Sequence, residues 1–349
     1  MVALSLALGA LLGGPLAAAG AADAPLPSTS LTVGLRGALT VGLHARVIAN
    51  GSVQAPAGGR LTQAGGLALA PTQAALQPVA AVGGAKVSLE LRTRAGWSAF
   101  AHATADRAGG YVLTVPTSSY GSHTWRVSTA ATATSVATAT APFTVSVRTP
   151  YRPRGSASSY RLLPDSHARW DPCRPVPYYV NTAGMPRGAM ATVRAALARV
   201  QAATGLTFSY AGRSRAVPFS SGSKAQGMPS YGFTIAWSTP SRVRQLGGST
   251  LAISGSATQV AQLGPASFAQ QYVSGGLVID RNERLRLGMG RGRTLGFVLM
   301  HELGHVVGLN HVKDRSQVMA AYLTSRSVAQ YGAGDLAGFA AVGMGGGCL

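Results

Sequence analysis

Residues 301–311 read His301-Glu302-Leu303-Gly304-His305-Val306-Val307-Gly308-Leu309-Asn310-His311, the pattern H-E-x-x-H-x-x-G-x-x-H. Side chains four apart share one helix face, so His301 and His305 aim two imidazoles at one point. Glu302 is one step round the helix, beside that point without having to ligate. Gly308 lets the chain leave the helix at positive φ, where a Cβ would clash. The turn then returns His311 as a third nitrogen. Three protein nitrogens that leave a fourth position open are the donor set of a catalytic zinc. The expectation is one Zn2+ per chain on His301, His305 and His311, with Glu302 as general base.

The chain has seven histidines and only three glutamates, Glu90, Glu283 and Glu302. At those frequencies chance yields the five-residue core on the order of 0.001 times per chain of this length. A buried helix whose histidines merely hydrogen-bond has no use for Glu beside His at this spacing.

The extended motif resembles the metzincin clan of zinc endopeptidases. That resemblance implies a methionine turn soon after the third histidine, and Ser316-Gln317-Val318-Met319-Ala320-Ala321-Tyr322 stands there. Met319 is the matching residue, an apolar floor under the ligand histidines. Tyr322 has the wrong spacing for the tyrosine that helps hold the oxyanion in some of these families, and is read as a surface residue. The resemblance further implies an extended substrate beside an edge strand near Thr250, Leu251, Ala252 and Ile253. Val312 follows the third histidine where matrixins usually have Ser, a departure from the nearest family, the bacterial matrixin-like proteases.

Composition sets the wider frame. The 349 residues allow two domains. Formal net charge is +20, and all of the bases except Lys86, Lys224 and Lys313 are arginine. GC-rich codon usage accounts for this dispersed charge. The functional account is attraction to anionic cell-surface polymers or acidic proteins. With no zinc-finger spacing and no aromatic-interleaved basic stretch, a dedicated nucleic-acid module is excluded.

Residues 1–21 read as a signal peptide. Val2 to Leu16 is almost wholly apolar, and Ala19-Gly20-Ala21 offers a cleavage site, although no Lys or Arg precedes the apolar run. The run is short for a membrane span, so no transmembrane segment is expected after its removal. Secretion into an oxidising, extracellular or cell-wall setting makes Cys173 and Cys348 a disulfide pair. The alternative is a latency switch in which the Cys173 thiolate, within Pro172-Cys173-Arg174-Pro175, ligates the zinc.

Between signal and motif the pattern changes. Residues 30–148 alternate with period two, as in Val87-Ser88-Leu89-Glu90-Leu91-Arg92 and Gly110-Tyr111-Val112-Leu113-Thr114-Val115, with glycine turns between runs. Short strands at such intervals make an all-β sandwich, and Leu89 to Val147 resembles bacterial immunoglobulin-like modules. Residues 149–168 are mostly Pro, Gly, Ser and Arg and read as a linker open to proteases.

From 169 to 349 the order is strand (from Val176), helix (Met190 to Thr204), strands at Leu206, Phe233 and Gly276, the motif helix (Thr294 to Val307) and a last helix (Gly334 to Val342). The architecture expected is multidomain: a β-sandwich, then an α+β metzincin-like zinc protease domain. No clustered oxygen ligands suggest a second metal. Protein or peptide substrates follow from the resemblance. A zinc amidase on cell-wall peptides, and a catalytically silent surface-binding protein, are the alternatives.

Overall fold

The computed structural model describes residues 84–349 except 108–109, 132–136, 165–167, 221–226 and 265–266, together with the backbone of four strands within 29–69. The expected signal segment, residues 1–21, lies outside the described residues.

Every element described between residues 29 and 148 is a strand. They are β1 (Thr29–Ala38), β2 (Arg46–Ile48), β3 (Ser52–Pro56), β4 (Arg60–Leu69), β5 (Lys86–Thr93), β6 (Gly96–Thr104), β7 (Gly110–Val115), β8 (Gly121–Thr129), β9 (Thr138–Ala139) and β10 (Phe143–Arg148). One sheet runs β1-β4-β7; the other runs β2-β3-β10-β8-β5-β6, with β9 on β8. Alternate residues of β5, β7, β8 and β10 turn inward, so Leu89, Leu113, Trp125 and Val145 meet in one core. This is the period-two pattern expressed as packing.

The later half is built on a five-stranded sheet. Its elements are β11 (Val176–Val180), α1 (Ala189–Thr204), β12 (Phe208–Arg213), β13 (Gly232–Ser238), β14 (Ala252–Gly264), β15 (Ser267–Asp280), α2 (Leu295–Val306) and α3 (Ala333–Val342). The strand order is β12-β11-β13-β15-β14. All neighbours are parallel except β14, which pairs antiparallel with β15 and forms the edge. Central β13 is buried at every position, as a strand covered on both faces must be. Helix α1 buries Val193, Ala196, Leu197, Val200 and Ala203, the stripe its 3.6-residue period marks. It stops at Gly205, φ 76°, whose N–H returns to Gln201 O.

Strand β15 starts nine residues earlier than the sequence suggests, because it forms a long hairpin with β14. That arm is rich in Gln, Ser, Thr and Ala and has no apolar alternation to announce it.

The described residues of 149–168 carry no helix or strand beyond the isolated bridge Leu162–Leu309. They are nonetheless tied down, unlike a free tether. Arg154 O accepts from Ala333 N (2.7 Å), Arg161 O from Asn310 N (2.8 Å), and Leu163 N donates to Gly308 O (2.9 Å). A chain without an apolar period still has backbone groups to satisfy, and the loops around the motif satisfy them.

The two halves are joined at the C-terminus. Met344 is buried in the same cluster as Leu89 and Trp125. Tyr120 N donates to Ala202 O at the end of α1 (2.7 Å). Cys173 and Cys348 form a disulfide across 175 residues. No helix among the described residues is long and apolar enough to cross a membrane.

Candidate metal centre

Helix α2 starts at Thr294, whose hydroxyl accepts from Phe297 N (3.2 Å). At its other end Val306 O accepts from Trp170 Nε1 and from Ser256 Oγ, both at 2.9 Å. The helix is buried along most of its length and turns His301 and His305 toward an open cleft. Gly308, at φ 114°, ends it; a Cβ there would meet only ordinary contacts, so the requirement is conformational. Residues 309–311 then bring His311 back.

The three histidines converge. Nε2 of His301 lies 3.2 Å from that of His305, and His311 Nε2 lies 3.1 Å from each. The opposite nitrogens decide what these atoms are. His301 Nδ1 is 2.7 Å from Val318 O, and His305 Nδ1 is 2.7 Å from Leu309 O. A carbonyl only accepts, so each Nδ1 carries the proton and each Nε2 presents a lone pair. Burial pushes the imidazoles of His301 and His305 down to about 4, and lowers His311 as well. Neutral rings with lone pairs at one point repel one another unless a cation sits among them. The donor set therefore fits a soft-to-borderline divalent ion such as zinc.

Glu302 lies in the same cleft, 7% exposed. Burial raises its carboxyl above the usual range, while His305 and Ser254 work in the other direction. Ser254, on β14, donates to Glu302 Oε2 at 2.6 Å. No sequence signal pointed to Ser254: it stands 48 residues before Glu302 and meets it only because β14 is the strand beside α2.

Met319 is buried beneath the helix, and a Cβ at Gly304 would collide with its Sδ. The turn that carries it is fixed from α3. The Asp335 carboxylate accepts from Val318 N (2.6 Å), Met319 N (3.2 Å) and Gly332 N (2.9 Å). Gln317 Oε1 accepts from Asp335 N in return (2.9 Å). Read along the sequence, Asp335 is merely an acid in a first helical turn.

Thr250 and Leu251 lead into β14, and Ala252 and Ile253 begin it. All four line the cleft with Glu302 and the three histidines. The cleft has a volume of about 670 Å³, and its lining includes the apolar Leu251, Phe297, Val298 and Leu323 and the charged Glu283 and Arg293. Tyr322 stands at the rim, 78% exposed. Cys173 is committed to its disulfide, so it offers no thiolate to a metal and the latency alternative is closed. Among the described residues, His102 and His123 take no part in the cluster; His44 lies outside the described residues.

No match to this chain was found among curated proteins. Residues 248–341 match the family model described as matrixin, a peptidase family. The matched stretch runs from the lead-in of β14 through α2 and Met319 to α3, well under half of the chain, and it supports a metzincin-like zinc metalloprotease.

Proposed function

We propose that the chain is a secreted zinc-dependent endopeptidase, with His301, His305 and His311 holding one zinc ion and Glu302 acting as general base. The observation that carries this is the convergence of three histidine Nε2 atoms, two of them oriented by backbone carbonyls, with a buried carboxylate in one cleft. Zinc bound there supplies a Lewis acid for the scissile carbonyl and acidifies the attacking water. Glu302 takes a proton from that water as it attacks the carbonyl carbon, then delivers the proton to the departing amine. Burial, by raising its affinity for a proton, favours its acting as base and then as acid. Ser254 orients one carboxylate oxygen, leaving the other free for the water. The substrate backbone lies extended along β14 from Thr250 to Ile253, adding a strand to the sheet edge.

Secretion is supported by the N-terminal sequence and by the disulfide, a bond of oxidising compartments. Residues 30–148 are assigned as an accessory immunoglobulin-like sandwich. Metal analysis of the purified protein is expected to give one zinc per chain, with loss in His305→Ala. Casein zymography beside a digestion assay on cell walls separates the endopeptidase from a wall amidase. Retention of zinc by His305→Ala, or wall digestion without casein cleavage, would overturn the assignment.

A further inference from the structure

The stretch from Arg281 to Arg293 holds five arginines in thirteen residues: Arg281, Arg284, Arg286, Arg291 and Arg293, all exposed. Codon bias spreads arginine along a chain; it does not gather it at one place. Glu283 is the single acid in the stretch, and it is already paired with Arg293. A sixth exposed arginine, Arg326, sits on the neighbouring turn, joined through Gly292 N to Ser327 O (2.8 Å) and the Arg291–Val328 bridge. The loop is held in place. Arg286 O accepts from Leu295 N at the start of α2 (2.7 Å), and Gly288 N donates to Thr192 Oγ1 of α1 (3.0 Å). These cations are therefore presented from a fixed backbone.

The loop reaches the cleft at the Glu283–Arg293 ion pair, which lines it together with Ser249 to Leu251, where the chain leads into β14. Arg284 and Arg291 flank that pair along the chain. A substrate strand added antiparallel to β14, the more stable pairing, runs toward Ala252. Its residues after the scissile bond then run toward Ser249 to Leu251, the part of the cleft lining that precedes β14, in a cleft that Arg293 of the arginine-rich loop also lines. We infer that this rim makes the enzyme selective for substrates with aspartate or glutamate in the segment following the scissile bond. The inference rests on the peptidase reading of the cleft. Guanidinium forks pair carboxylates in bidentate fashion, and a cleft mouth of one sign raises the encounter rate of oppositely charged substrates.

The test uses the zinc-loaded full chain and quenched fluorescent peptides identical except for Glu, Ala or Lys at the second to fourth positions after the bond. A control set carries Glu before the bond. The expected kcat/KM for the Glu peptide exceeds that for the Ala peptide by at least about tenfold at low salt, and the advantage fades toward about 1 M salt. In the double variant Arg284→Glu, Arg291→Glu the Glu-to-Ala ratio falls to about one or inverts. Should that variant fail to fold, the wild-type ratio and its salt dependence decide alone. Equal cleavage of the three peptides, or an equal gain from Glu before the bond, overturns this inference only. Cleavage of none of them overturns the peptidase reading and this inference with it.

Discussion

His301 and His305 owe their ligating form to two carbonyls, Val318 O and Leu309 O, and to burial that holds both rings near a pKa of about 4. In the unfolded chain the same rings titrate at 6.5. Because the folded values are lowered, the stability they confer is full above pH 6.5 and is lost as pH falls toward about 4. Burial of Asp335 raises its carboxyl to about 6, so its contribution runs the opposite way, lost as pH rises through 6. Glu302, also raised by burial, acts with Asp335, while the lowered His311 and His123 act with His301 and His305, and the four histidines outweigh the two acids. The metal-free protein is therefore expected to melt at a lower temperature at pH 5 than at pH 7.5, whereas zinc affinity of the folded protein should fall only as pH approaches about 4, where protons compete for the rings. A melting temperature that rises on acidification would contradict this. Gly304 is a second single-residue test. Alanine favours a helix by about 1 kcal/mol, but its methyl would drive into Met319 Sδ. Overpacking of about 1–3 kcal/mol wins, so Gly304→Ala should lower the melting temperature, and an unchanged or higher value would show the floor is soft.

At the scale of elements, α3 acts on the site without touching it. Asp335 holds the peptide groups of Val318 and Met319, and Val318 O in turn orients His301. Asp335→Ala leaves buried N–H groups without acceptors, at about 1–3 kcal/mol each, and frees the Val318 carbonyl. It should therefore both lower the melting temperature and weaken zinc binding by about 10–100-fold, as loss of an outer support does. A variant that is destabilised yet binds zinc as tightly as wild type would limit Asp335 to a packing role. The sequence revealed α2 and its histidines completely, because ligand spacing and helical period coincide in one local stretch. It revealed α1 through its apolar stripe. It did not reveal the β14–β15 hairpin, whose polar arms lack alternation, nor Ser254 and Asp335, whose roles arise from contacts between elements far apart in the chain. The arginines of 281–293 were visible as letters and acquired meaning only when the fold brought Arg293 of that loop to the cleft.

Across the whole molecule, the C-terminal tail binds the two halves. Met344 enters the strand-rich core, the Arg169 guanidinium donates to Gly347 O, and Asp171 Oδ1 accepts from Leu349 N (3.2 Å) near the disulfide. Cys348→Ser removes the clamp and should cost about 2–5 kcal/mol. Composition alone marks residues 149–168 for proteolysis, whereas the bonds of Arg154, Arg161 and Leu163 argue for protection. In limited proteolysis this stretch should survive while the disulfide is intact; early cleavage there would show that the bonds do not persist in solution. All of this scaffolding serves one claim, that a buried carboxylate moves the proton beside a histidine-held zinc. The most direct measurement is peptide turnover by Glu302→Gln at zinc content equal to wild type. Loss of at least about a hundredfold in kcat is predicted, and turnover at the wild-type rate would contradict the account.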